Sequence, residues 1–202
     1  MIGAVYVVTD PGAPIPVLDQ ARAAARGGAW AVQLRDKTAS DAEIARLAET
    51  LLAELAPGGL RVFVNDRVEV ARATGADLHL GQGDGDPRAA RERIAPGALL
   101  GLSVETVAQC AAIPEGVSYI GAGPVRATAT KPDAAAPIGT DGLARIVAAS
   151  PVPAIAIGGL TAGDAPALRR AGAAGMAVVS AVTRAPDPEA ATRALVTAWR
   201  QR

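Results

Sequence analysis

Residues 62–84, VFVNDRVEVARATGADLHLGQGD, hold one structural pattern written twice. A β-branched and aromatic run, Val62-Phe63-Val64, passes straight into Asn65-Asp66. A helix-like segment over 67–74 follows, then Gly75-Ala76-Asp77 and a second short run, Leu78-His79-Leu80, which ends in the polar turn Gly81-Gln82-Gly83-Asp84. Two successive strands therefore each deliver one carboxylate, Asp66 and Asp84, at the carboxyl end. Neighbouring parallel strands lie about 5 Å apart, so the two carboxylates fall within reach of one hard, oxygen-preferring cation such as Mg²⁺. Aspartate also favours helix N-caps, and that reading of each residue alone stands beside the metal reading.

The same alternation runs through the chain. Short apolar runs recur at 4–8, 30–34, 61–64, 78–80, 99–103, 117–121, 154–157 and 176–179. Most are continuously apolar rather than alternating, as expected of parallel strands covered on both faces. Helical patterns lie between them at 15–26, 41–55, 86–94, 105–112, 141–149, 163–171 and 188–202. In 41–55, Ile44, Leu47, Leu51, Leu52 and Leu55 keep helical spacing behind Ser40 or Asp41 as cap. Eight such units in 202 residues give about 25 residues each, which favours a closed (β/α)₈ TIM barrel over an open doubly wound sheet. No shift in composition marks an internal boundary, so residues 1–202 are expected to form a single catalytic TIM-barrel domain.

Composition narrows the function. Twenty acidic and 20 basic side chains leave no formal net charge, against a nucleic-acid binder. One cysteine, Cys110, excludes an internal disulfide framework. No apolar run reaches the roughly 18 residues of a membrane span, and residues 1–10 do not resemble a signal peptide; a cytoplasmic protein is expected, with no membrane or nucleic-acid partner. Aromatic content is only 2%, which suggests a core of thin Ala, Val, Leu and Ile layers rather than a few large anchors.

In a barrel of this kind, chemistry belongs to the loops after the strands, and the polar residues do collect there. Gln33, Arg35 and Lys37 alternate along one edge and suit an anion, with Arg35 able to bind phosphate through two donors. Thr128, Thr130 and Lys131 lie in a long loop, residues 125–140, behind Gly121 and Gly123, whose missing side chains would let backbone N–H groups approach a ligand. Gly158-Gly159 and Val179-Ser180 fall where barrels bind phosphate. The only histidine, His79, sits inside a strand and reads as barrel filling, and no Ser-His-Asp set is present. Two phosphate regions and one metal site, without an activated nucleophile, point to a reaction driven by departure of a metal-bound diphosphate.

Seven segments, VQLRDK, VFVNDR, GADLHLGQGD, GLSVET, YIGAGPVRATATKPDA, AIGGL and GMAVVSAV, resemble the thiamine-phosphate synthase family in order and position, from residue 6 to 188. The resemblance implies a Mg²⁺-dependent transferase of thiamine biosynthesis. It would join 4-amino-2-methyl-5-(diphosphooxymethyl)pyrimidine to 4-methyl-5-(2-phosphooxyethyl)thiazole, or its carboxylated form, by a dissociative route that releases diphosphate. It further implies that Gln33, Arg35, Lys37, Asn65, Ser103 and Lys131 contact the pyrimidine diphosphate, with Ser103, Lys131 and Arg35 as the catalytic set. Asp66 and Asp84 would hold Mg²⁺, and Thr128, Thr130, Gly159, Val179 and Ser180 the thiazole phosphate. Glu105 stands where many relatives carry histidine, and Arg126 where an apolar residue is common. A thiazole tautomerase of the same fold would not need the Asp66/Asp84 pair and would carry that histidine. A non-catalytic phosphate-ligand binder would be expected to have a damaged polar set.

Overall fold

A computed structural model describes residues 2–128, 130 and 135–201. Eight strands, β1 (Val5–Val8), β2 (Ala31–Leu34), β3 (Arg61–Asn65), β4 (Asp77–Leu80), β5 (Leu100–Val104), β6 (Tyr119–Ala122), β7 (Ala154–Ile157) and β8 (Gly175–Val178), pair in parallel and in sequence order. β8 returns to β1 through the register Tyr6↔Ala177, which closes the barrel. The helices outside are α1 (Val17–Arg26), α2 (Asp41–Leu55), α3 (Val68–Thr74), α4 (Pro87–Arg93), α5 (Val107–Cys110), α6 (Gly139–Ala149), α7 (Ala165–Arg170), α8 (Ser180–Thr183) and α9 (Pro188–Arg200). The expected (β/α)₈ architecture is the observed one.

Local signals account for several boundaries. Ser40 opens α2 with a reciprocal capping box to Glu43, which satisfies two N–H groups that have no intrahelical partner. Asp86 and Asp187 cap α4 and α9, each followed by proline in the first turn. The predicted helix at 105–112 shortens to the single turn of α5, because Thr106 caps onto Gln109 and turns follow directly. α8 is also a single turn, too short for apolar periodicity to register in the sequence.

Two packing regions follow from the alternation of side chains along each strand. Outward residues such as Val7, Val32, Val62, Ile120 and Ala156 pack with Ile44, Leu51, Leu143, Ile146 and Leu195 of the helices. Inward residues fill the barrel, and there the expectation of thin aliphatic layers is overturned. Both tyrosines, the single phenylalanine and Trp30 meet inside. Ring centroids are 5.1 Å apart for Tyr6 and Phe63 and 5.6 Å for Phe63 and Tyr119. The chain spends its few aromatics where eight inward faces converge, and the small residues Ala31, Gly101 and Ala177 make room for them.

Below this plug, Arg61 of β3 pairs with Asp77 of β4, with Nε 2.7 Å from Oδ2. Asp77 is buried and also accepts the Leu99 N–H at 2.7 Å. Burial still wins over the Arg61 guanidinium and pushes the Asp77 carboxyl above its usual range.

Candidate functional site

A cavity of about 700 Å³ opens at the carboxyl ends of the strands. Gln33, Arg35, Lys37, Asn65, Asp84, Ser103, Thr128, Thr130, Gly159, Val179 and Ser180 all line it. Asp66 lies beside it and joins it through Lys37. Lys131 lies outside the described residues.

On one side, β2 carries Gln33 into the barrel and then releases Arg35 and Lys37 along the rim. The Arg35 N–H donates to the buried Thr9 hydroxyl at 3.2 Å, which fixes where the chain leaves β2. Asp36 turns its carboxylate back onto the Thr38 and Ala39 N–H groups, at 2.8 and 3.0 Å. Among the described residues it forms no ion pair with Arg35 or Lys37.

Neither carboxylate of the pair is a helix cap. Arg67, not Asp66, precedes α3, and the cap of α4 is Asp86 rather than Asp84. Asp66 adopts φ 56°, the left-handed region that among non-glycine residues aspartate and asparagine tolerate best. This bend turns its side chain toward the β2 loop. Asp84 folds back so that its Oδ2 accepts the Gly81 N–H at 2.7 Å. The Lys37 ammonium then sits between the two, bonded to Asp66 Oδ2 and 4.0 Å from Asp84 Oδ1. A single positive centre thus already contacts both carboxylates, so the donor set can share a cation. Among the described residues no third acidic, cysteine or histidine side chain joins them. Two carboxylates with further oxygens left to water and ligand phosphate is a donor set typical of Mg²⁺ rather than of a dedicated all-protein cage.

The far side is built from backbone. Gly158 and Gly159 hold φ 105° and 61°. The loop after β6 lies directly on this turn, with Val125 N–H donating to Ile157 O at 2.8 Å and Arg126 N–H to Gly158 O at 3.0 Å. Thr128 and Thr130 follow, the Thr130 N–H turned onto the Thr128 hydroxyl at 3.3 Å. Ser180 opens α8. A one-turn helix has little macrodipole, so its use to an anion lies in its first N–H groups, which have no intrahelical acceptor.

Gly121 and Gly123 both line the cavity. The Gly123 N–H is taken by Val104 O at 3.1 Å. A side chain at Gly123 would fall 2.1 Å from Ile157 O, and one at Gly121 3.2 Å from His79 Cε1. The missing side chains thus also make room for β7 and for His79.

A family model for thiamine monophosphate synthase matches residues 5–182. The chain belongs to the thiamine monophosphate synthase family. It is 51% identical to the thiamine-phosphate synthase of Solidesulfovibrio magneticus, over 94% of this chain and 92% of that protein. It is 46% identical to that of Roseiflexus castenholzii, over 99% and 90%. Among solved structures, thiamine phosphate pyrophosphorylase from Pyrococcus furiosus matches with a TM-score of 0.87 and 35% identity, over 96% of this chain and 94% of that one. As a member of the thiamine monophosphate synthase family the chain is an enzyme, a transferase acting on small molecules. No described helix is long and apolar enough to cross a membrane.

Beside this synthase-family cavity, Arg67 escapes a reading of the sequence. Arg67 reaches back to Asp36 O at 2.8 Å, Ala39 O at 2.6 Å and the Asp41 carboxylate. It fastens the loop that carries Arg35 and Lys37. Its only sequence signal is its place directly after Asn65-Asp66. Arg67→Ala is expected to weaken the diphosphate side of the site about tenfold in KM, the loss of a few charge-assisted hydrogen bonds that hold a loop. Steady-state kinetics with each substrate varied in turn checks this; an equal effect on the second substrate would remove Arg67 from that role.

Arg126, unusual for the family resemblance, is anchored. Its Nε lies 2.8 Å from Asp164 Oδ1, across the strand-end loops of β6 and β7. Burial alone would raise the Asp164 carboxyl, but the Thr161 N–H and the Arg126 guanidinium outweigh it and hold it below the usual range. Glu105 lines the cavity.

Proposed function

We propose that this chain joins 4-amino-2-methyl-5-(diphosphooxymethyl)pyrimidine to 4-methyl-5-(2-phosphooxyethyl)thiazole, or its carboxylated form, giving thiamine phosphate and diphosphate, together with CO₂ from the carboxylated form, in the cytoplasm. The observation that carries the reading is the division of one cavity into two unlike anion sites. Arg35, Lys37 and the Asp66/Asp84 pair lie on one side, and the Gly159, Ser180, Thr128 and Thr130 cradle on the other. The buried floor between them holds a histidine and two tyrosine hydroxyls; His79 Nε2 lies 3.1 Å from Ser103 Oγ, but its other nitrogen faces the Tyr119 hydroxyl rather than the carboxylate of a Ser-His-Asp set.

In this reading the diphosphate lies along Arg35 and Lys37, with Asn65 and Ser103 on the pyrimidine side. Lys131, outside the described residues, would complete its charge. The thiazole phosphate is gripped by backbone N–H groups at Gly159 and Ser180 and by the two threonine hydroxyls, and Val179 closes the wall beside them. Asp66 and Asp84 would hold Mg²⁺; bound there, the ion supplies charge neutralisation to the departing diphosphate. The C–O bond between the pyrimidine methylene and diphosphate breaks with both electrons leaving on oxygen. The thiazole nitrogen then forms the C–N bond with its lone pair, so no protein base is required. The protein supplies positioning, cationic stabilisation and exclusion of water from the methylene cation.

The test is a coupling reaction of purified protein with both phosphorylated substrates and Mg²⁺, following thiamine phosphate by mass spectrometry. Product is expected with Mg²⁺ and is expected to disappear with EDTA. Product that persists under full chelation would remove the metal from the mechanism. No product from a folded protein that binds the thiazole phosphate would favour the tautomerase or binder readings.

A further inference from the structure

On the floor of the cavity, five of its lining side chains, from five different strands, form one hydrogen-bonded arc. Gln33 Nε2 donates to Tyr6 Oη at 2.8 Å, and Tyr119 Oη lies 3.2 Å from Tyr6 Oη. Tyr119 Oη is 2.9 Å from His79 Nδ1, and His79 Nε2 is 3.1 Å from Ser103 Oγ. Gln33 and Ser103, the two ends, are two of the three neutral side chains that the family resemblance assigns to the pyrimidine diphosphate, Asn65 being the third. Tyr6 and Tyr119, the middle, are 2% and 0% exposed.

The fold makes space for this arc at a specific point. A side chain at Gly101 would meet Tyr119 Cζ at 2.3 Å and His79 Nδ1 at 2.5 Å, so the Tyr119–His79 contact exists only because β5 has no Cβ there. Three groups that ordinarily cost free energy when buried have instead been placed in contact. Burial pushes the His79 pKa down to about 4 and both phenols upward, so near neutral pH all three stay uncharged. A neutral imidazole with a hydroxyl on each nitrogen has one donor and one acceptor, and both are committed.

We propose that Tyr119 is a positioning residue for the pyrimidine substrate, its hydroxyl coupling the His79–Ser103 contact to the Tyr6–Gln33 contact so that Gln33 and Ser103 present a preset hydrogen-bonding edge to a flat amino-substituted heterocycle. This rests on the assignment of the pyrimidine diphosphate to the Gln33/Ser103 end of the cavity. Preorganised donors and acceptors lower the cost of ordering on binding, and a shared network makes the two ends depend on each other.

Tyr119→Phe keeps the ring in the plug and removes only the hydroxyl. It is tested alone, with Ser103→Ala, and as the double variant. Turnover is read with each substrate varied, and affinity for the pyrimidine diphosphate by calorimetry in its own right. The expected result is about a tenfold loss in affinity and in kcat/KM for the pyrimidine diphosphate, with the KM for the thiazole phosphate unchanged. In the Ser103→Ala background the same change should have less than about twofold further effect. Additive losses, equal losses for both substrates, or an unaltered Tyr119→Phe enzyme would each overturn the proposal. Tyr6→Phe, expected to act in the same selective way through Gln33, decides the matter should Tyr119→Phe fail to fold. A wild-type protein that binds the pyrimidine diphosphate without turnover would sink the proposed function, while the calorimetric comparison still decides the positioning role. Absence of both binding and turnover would overturn both.

Discussion

Replacement of Asp66 by alanine is expected to lower kcat by about three orders of magnitude, the scale of several kcal/mol of charge stabilisation at a departing group. Asp66 is half of the carboxylate pair that Lys37 bridges, and its side chain is 20% exposed. Its ion-pair partners, Lys37 and Arg67, each hold another group as well: Asp84 for Lys37, and the Asp36 and Ala39 carbonyls for Arg67. Neither is orphaned in a buried setting by the loss, so the barrel should persist. Alanine is nevertheless a poor guest at φ 56°, where the left-handed backbone costs most residues about 1 kcal/mol or more. Asp66→Asn separates the two effects, since asparagine accepts that backbone and keeps the shape while removing the charge. If the pair binds Mg²⁺, both variants lose activity alike and both need a higher Mg²⁺ concentration for half-maximal rate, whereas only the alanine variant loses thermal stability. An Asp66→Asn enzyme with unaltered rate and unaltered Mg²⁺ dependence would take Asp66 out of the metal site.

That pair is legible in the sequence because the two strand ends lie close along the chain and repeat the same pattern. Strand positions are legible for a related reason: in a barrel covered on both faces, apolar runs are short, continuous and bounded by polar turns. The run at 154–157 and the helical pattern at 41–55 coincide with β7 and α2. What joins distant strands is not legible. Tyr6 and Tyr119 are 113 residues apart, and Arg126 and Asp164 are 38 apart. Nothing local in Tyr119-Ile120-Gly121 marks the tyrosine as inward or Gly101 as its companion; only the register β5 to β6, which sets Gly101 opposite Tyr119, does so. The low aromatic count misleads for the same reason, since it shows how few large side chains exist and not that closure gathers them together. Lys37 can be read as an anion ligand from its spacing, but its seat between two carboxylates emerges only once the β2 loop, fastened by Arg67, is laid beside β3 and β4.

Gly159→Ala should damage the opposite end of the cavity, and its consequences separate cleanly from those of Asp66. Gly159 holds φ 61°, and a methyl group there would lie 2.4 Å from Ala127 O and 3.0 Å from Arg126 Cβ. The first of these is a backbone atom and cannot rotate away. The loop after β6 must therefore lift from the β7 turn, yet Arg126 N–H is bonded to Gly158 O and Val125 N–H to Ile157 O. Either those bonds break or the turn flattens. Both outcomes move Thr128 and Thr130 away from Gly159 and Ser180, and a phosphate cradle built from N–H groups and hydroxyls tolerates little displacement. The expected result is a rise of about a hundredfold in KM for the thiazole phosphate, with affinity for the pyrimidine diphosphate unchanged. The thermal midpoint should fall by several degrees, since the left-handed backbone alone costs about 1–2 kcal/mol for alanine. Calorimetry with each substrate separately is the check. A variant that loses the pyrimidine diphosphate and keeps the thiazole phosphate would mean that the two ends of the cavity hold the opposite substrates, because this lesion is confined to the β6–β7 side.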